Sequence, residues 1–157
     1  MATGIQSSDS KRVTVVRLVE NATAANGVPV GAPTATPAAG VGFDLNELKS
    51  GNVLPDWVSV RIYETAGSGV MTLASARLWG FSLVSGKWTP LGIGGDTTKG
   101  LLNSGSTFGE TGTDQLRHQE PLMLPGHLDG VYIELGTIAG AATALSVEID
   151  FPRHTVK

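Results

Sequence analysis

Six side chains able to do acid–base or metal chemistry fall within one stretch: Glu110, Asp114, His118, Glu120, His127 and Asp129. His118 and Glu120 are two positions apart, so on a β-strand they share a face and could hold a cation together. The spacing matches no established zinc pattern. The plainer reading is solvated polar groups of a loop and an edge strand, with His118, Glu120 and His127 as the metal candidates. Serine, histidine and aspartate are all present, but no GxSxG elbow is, and nothing singles out a carboxylate pair for glycoside hydrolysis. Residues 92–100 (GIGGDTTKG) are glycine-rich, yet they break the GxxxxGK[ST] spacing and no helix follows to cradle a phosphate. The expectation is a non-enzymatic protein with no catalytic residues and no cofactor.

The other side chains with recognition potential are Trp57, Trp79 and Trp88. An aromatic platform for sugar rings is one reading. In a small β-protein with few other aromatics, tryptophans more often anchor the core and its interfaces. Val16 and Leu18, on one face of an early β-branched run, join them as structural or interface residues.

These groups need strands to position them. Residues 56–64 alternate cleanly, with Val58, Val60 and Ile62 on one side and Ser59, Arg61 and Tyr63 on the other. Residues 143–151 do the same: Leu145, Val147, Ile149 and Phe151 against Ser146, Glu148 and Asp150. Residues 130–138 form another strand, with Val131, Ile133 and Leu135 inward. Residues 70–84 read as one long strand whose periodicity slips, and a bend at Gly80 would let it serve two sheets. Residues 87–91 return after a Ser85-Gly86 turn. Residues 118–124 suit an edge strand, because Pro121 has no N–H for a central ladder. Residues 43–50 suit one or two helical turns capped by Asp44.

Residues 12–20 (RVTVVRLVE) read as the first strand, its apolar residues on both faces, one of them covered by a neighbouring subunit. Residues 1–10 are small and polar, which suits a flexible arm. Residues 21–42 lack any large apolar anchor, so they read as a surface loop or as an arm that orders on a neighbouring molecule. The domain expectation is therefore an N-terminal arm over 1–42 and a β-sandwich over 43–157. With seven or so strands and no crossover helix, a jelly-roll-type antiparallel sandwich is expected, and an immunoglobulin-like one is the alternative.

Composition narrows the function classes. A net charge of −3 and one adjacent Lys-Arg pair provide no phosphate-binding patch, which argues against a nucleic-acid partner. No apolar run reaches the ~20 residues of a membrane span. There are no cysteines, so durability must come from packing or oligomerisation. The polar opening residues lack the apolar centre of a secretion signal, so synthesis and folding in a cytoplasm are expected.

The runs RLWGF (77–81), KWTPLGIG (87–94), KGLLNSG (99–105), FGETGTD (108–114) and HQEPLMLPGHLDGVYIEL (118–135) resemble small virion proteins of tailed bacteriophages, most of all the head decoration, or cement, proteins. The similarity spans residues 56–151. It implies a β-sandwich or jelly roll that binds the outside of a capsid, commonly as a trimer, and bridges neighbouring major capsid subunits. The major capsid protein would be its partner, and the virion exterior its final location after synthesis in the bacterial cytoplasm. A head-fibre, neck or tail component, or a host-recognition module with sugar-stacking tryptophans, is the alternative.

Overall fold

A computed structural model describes residues 4–7, 13–23, 32–49, 57–66, 71–73, 75–91, 106–108, 116–124, 128–139 and 144–152. The strands are β1 (Gly4–Ser7), β2 (Val13–Ala22), β3 (Phe43–Asp44), β4 (Trp57–Ala66), β5 (Met71–Leu73), β6 (Ala76–Ser82) and β7 (Lys87–Leu91). They continue with β8 (Ser106–Phe108), β9 (Leu116–Met123), β10 (Gly130–Leu135), β11 (Ile138–Ala139) and β12 (Ala144–Pro152). A 3-10 turn at Pro37–Ala39 and a single helical turn, α1 (Asn46–Lys49), are the helical elements among the described residues.

Two larger antiparallel sheets make an all-β sandwich. The first has the order β1-β2-β12-β4-β9, the second β3-β10-β6-β7, and a small sheet β11-β5-β8 adjoins them. Pairing is nested along the chain: β2 with β12, β3 with β10, β4 with β9 and β6 with β7. β12 also pairs with β4, and β10 with β6. β12 thus lies in the middle of the first sheet, between partners that are both far upstream, so this sheet closes only when β12 is in place.

The alternation seen in the sequence explains the core. Val58, Val60 and Ile62 of β4 lie in one buried cluster with Val147 and Ile149 of β12 and with Leu78, Val131 and Ile133 of the second sheet. Each such aliphatic side chain contributes about 1.5–3 kcal/mol on burial. Gly80 has a packing role: a Cβ there would sit 2.7 Å from Leu128 Cδ1 and 3.2 Å from Leu91 Cδ2. The missing side chain is the space that those leucines fill.

Several expectations are corrected. The long strand over 70–84 is two strands in different sheets, and the change of sheet falls between Leu73 and Ala76 rather than at Gly80. Residues 4–7 of the expected flexible arm pair with β2, and β2 itself is an interior strand, so both belong to the sandwich. Phe43 and Asp44 form β3 instead of opening the helix. Asp44 Oδ1 still accepts from the Asn46 backbone N–H at 2.8 Å, which stabilises the turn into α1.

The uneven pattern of residues 12–20 has a local cause. Glu148 of β12 pairs with Arg17, but Val147 pairs with Val19, and Leu145 with Ala22, so β2 bulges twice. The extra residue at Leu18 lets both Leu18 and Val19 turn into the core. At the second bulge Asn21 adopts φ 50, a left-handed conformation that asparagine tolerates better than most residues.

Candidate functional site

The residues singled out for chemistry do not form one site among the described residues. His118 and Glu120 lie on β9, their backbones opposite Ile62 and Val60. His127, Glu110, Asp114 and the glycine-rich 92–100 lie outside the described residues. Asp129 is a turn clamp: its N–H donates to Phe81 O at 2.8 Å, its carbonyl accepts from Leu45 N at 2.9 Å, and Oδ2 accepts from Leu83 N at 2.7 Å. No group of three or more His, Asp or Glu among the described residues is arranged to hold a metal ion. Val16 and Leu18 are buried in the chain's own core. Trp57 starts β4, its backbone opposite Met123.

What the strands do assemble is a charged network on the outer face of the first sheet. Cross-strand register puts Glu148 opposite Arg17 on one side and Arg61 on the other. Glu148 Oε1 accepts from Arg17 Nε at 3.1 Å, Arg17 Nη2 at 2.8 Å and Tyr63 Oη at 2.6 Å. Arg61 Nη2 lies 3.1 Å from Glu148 Oε2 and 2.7 Å from Asp150 Oδ1. Arg17 Nη1 reaches Glu20 at 2.7 Å. Residues three apart on a regular strand face opposite ways; the bulge at Leu18 brings Glu20 round to Arg17.

Glu148 itself is only 6% exposed, and burial of a charge is tolerated because opposite charges and donors surround it. Burial, the hydrogen bond to Glu148 and that residue's charge push the Tyr63 hydroxyl up to about 12. Burial works against the Arg17 cation, but Glu148, Tyr63 and Glu20 outweigh it and raise its value. Three donors on one carboxylate oxygen leave Glu148 poorly placed to take a proton from a ligand. The network braces the sheet.

The outer face of the second sheet is aromatic. Phe81 and Trp88 ring centroids are 5.2 Å apart at 54°, and Trp88 and Tyr132 are 6.0 Å apart at 61°. The Trp79 indole N–H donates to Glu134 Oε2 at 2.7 Å, and the Trp88 indole N–H to Ala35 O at 2.7 Å. That second bond ties residues 32–42 to their own domain. Pro37 fills the space that a side chain at Gly130 would need, and Gly42, at φ +74, passes so close to the Val131 carbonyl that no Cβ fits. This part of the expected loop or arm is a strap over the chain's own aromatics. The tilted rings also lack the coplanar faces on which a sugar stacks.

At the end of this sheet the β6–β7 hairpin projects Leu83 and Val84 into solvent, 70% and 96% exposed. The tip is held firmly. Asp129 holds the Leu83 N–H, Gly86 N donates to Ser82 O at 2.8 Å, and Lys87 N donates to Ser85 Oγ at 3.3 Å. Beside the tip lies a small cleft of about 120 Å³ with Pro37, Ala38, Phe81 and Leu83 as its apolar walls and Asp44 and Asp129 as acids. Sequence reading placed Leu83 and Val84 inside a strand. The available signal was the Ser-Gly turn directly after them, which makes them tip residues.

Comparisons with protein-family models, curated proteins and solved structures found no match to this chain.

Proposed function

We propose that this protein is a structural component of a tailed-phage virion, a decoration protein that binds the capsid exterior and bridges major capsid subunits. It works by contact, as a homo-oligomer, with the trimer favoured by the family resemblance. The observation that carries the reading is the hairpin tip, where two large aliphatic side chains are held in solvent by hydrogen bonds on both sides. Each forgoes about 1.5–3 kcal/mol of burial, which a partner surface would recover. The carboxylates of Glu148 and Asp150, by contrast, are held by Arg17, Arg61 and Tyr63, as befits a brace rather than a reaction centre.

The finer architecture we assign is a jelly roll. Its support is the nested pairing of eight strands, which rolls into the orders β2-β12-β4-β9 and β3-β10-β6-β7. An immunoglobulin-like sandwich does not nest its first strand with its last in this way. Binding to a mature shell, and not to its precursor, would stabilise the shell by mass action, multiplied over many copies. The protein would be made in the bacterial cytoplasm and end on the virion surface without catalysing a reaction.

Co-sedimentation tests this. Purified protein should pellet with expanded, undecorated phage heads and remain in the supernatant with precursor shells. Failure to pellet with either would remove the decoration role.

A further inference from the structure

We infer that the hairpin tip seats in the acid-lined cleft of a second copy of this chain, so that the end of the second sheet is the contact through which copies assemble. The inference rests on the reading of the protein as a structural component that works by contact, and assigns the hairpin tip that carries that reading to contact between copies.

Both halves of the contact lie on one end of the domain. The donor half is Leu83 and Val84, with Lys87 exposed just beyond the turn. The Lys87 ammonium makes no ion pair among the described residues. The acceptor half is the cleft, with apolar walls from Pro37, Ala38 and Phe81 and with Asp44 and Asp129 in its lining, whose carboxylates accept from Asn46 and from the Leu83 N–H and keep their negative charge. An apolar knob beside a cation is the complement of an apolar cleft beside two carboxylates, in shape and in sign. Leu83 belongs to both halves, as knob and as cleft wall, so the two are continuous. Each copy therefore carries both halves of the contact, so no second kind of chain is needed to complete it.

Rigidity favours the same conclusion. The knob is fixed by the Asp129–Leu83 bond at 2.7 Å, and Asp129 is also a wall of the cleft, so one residue sets the position of both halves. Little ordering cost then remains for association. A partner of another kind would need to match this pairing of knob and cleft; a second copy carries the match in its own sequence.

Sedimentation equilibrium over a micromolar concentration series decides it, on the full chain and on the Val84→Asp and Lys87→Glu variants. Val84 is almost fully exposed, so Val84→Asp should leave the circular-dichroism spectrum unchanged, and also the melting temperature when both proteins are dilute enough to be monomeric. The wild type should associate, Val84→Asp should weaken association by roughly thirtyfold or more, as for a central contact residue, and Lys87→Glu by a smaller factor that high salt removes. A wild type that stays monomeric across the series overturns the inference, as does a Val84→Asp variant that associates as tightly as the wild type. The decoration role fails separately: heads that do not bind a protein which does associate would sink that role and leave this contact standing.

Discussion

The two outer faces of this sandwich handle exposed surface in opposite ways. On the first sheet, Glu148 is bracketed by Arg17 and Arg61, and Glu20, Tyr63 and Asp150 complete a network that leaves one buried donor, Arg61 Nε, without a partner. On the second, the aromatics Phe81, Trp88 and Tyr132 are covered by a strap of small residues, and an apolar tip is left open. Charges on neighbouring strands can satisfy one another within the ladder. Apolar groups at a hairpin tip have no ladder partner and can be covered only by something else. The second face is therefore where the molecule has unspent binding capacity.

Removing Glu148 should break the ionic face most severely. Glu148→Ala leaves Arg17 and Arg61, about a quarter exposed, facing each other without their shared carboxylate. Loss of about 2–4 kcal/mol is expected, read as a lower urea midpoint with unchanged slope. Next is the strap. Gly42→Ala forces a side chain into the left-handed region and against the Val131 carbonyl, at a cost of about 1–3 kcal/mol. Trp88 fluorescence should shift to the red as residues 32–42 lift away; an unshifted spectrum would show that the strap does not shield the indole.

A smaller effect is expected from Trp88→Phe, which keeps a ring but gives up the bond to Ala35 O, worth about 1 kcal/mol. The smallest is a pH effect. The Tyr63 hydroxyl is pushed up to about 12, above its ordinary value near ~10. Its folded value exceeds its unfolded one, so the protonated phenol's contribution is complete below pH ~10 and lost as pH rises toward ~12. Burial, and then the Glu134 charge, raise Tyr132 as well. Ultraviolet titration of the folded protein should thus show no phenolate step at the ordinary tyrosine position. Glu148→Gln should move one of the two steps back toward it.

Much of the frame was legible because one-sided burial imposes strict alternation. Residues 56–64 and 143–151 read as strands and are strands, Trp57–Ala66 and Ala144–Pro152. Where alternation breaks, the sequence says only that something bends. The bulges of β2 hid the facing of Leu18, Val19 and Glu20, and the switch of sheets after Leu73 looked like a kink at Gly80. The ionic face was invisible for another reason. Arg17, Arg61 and Glu148 are far apart in sequence and meet only through the register of β2, β12 and β4, which no local pattern encodes. The strap was unreadable because its anchors are a backbone carbonyl at Ala35 and a proline ring, while the large apolar partner, Trp88, comes from a distant strand.

Hydrogen–deuterium exchange tests the division between the two faces most directly, comparing the free chain at high dilution with the same chain bound to further copies at high concentration. The account predicts slower exchange in the bound state at the hairpin tip, residues 82–87, and no change in the strand amides around Arg17, Arg61 and Glu148. Protection confined to those strands, with the tip exchanging as fast as in the free chain, would contradict it.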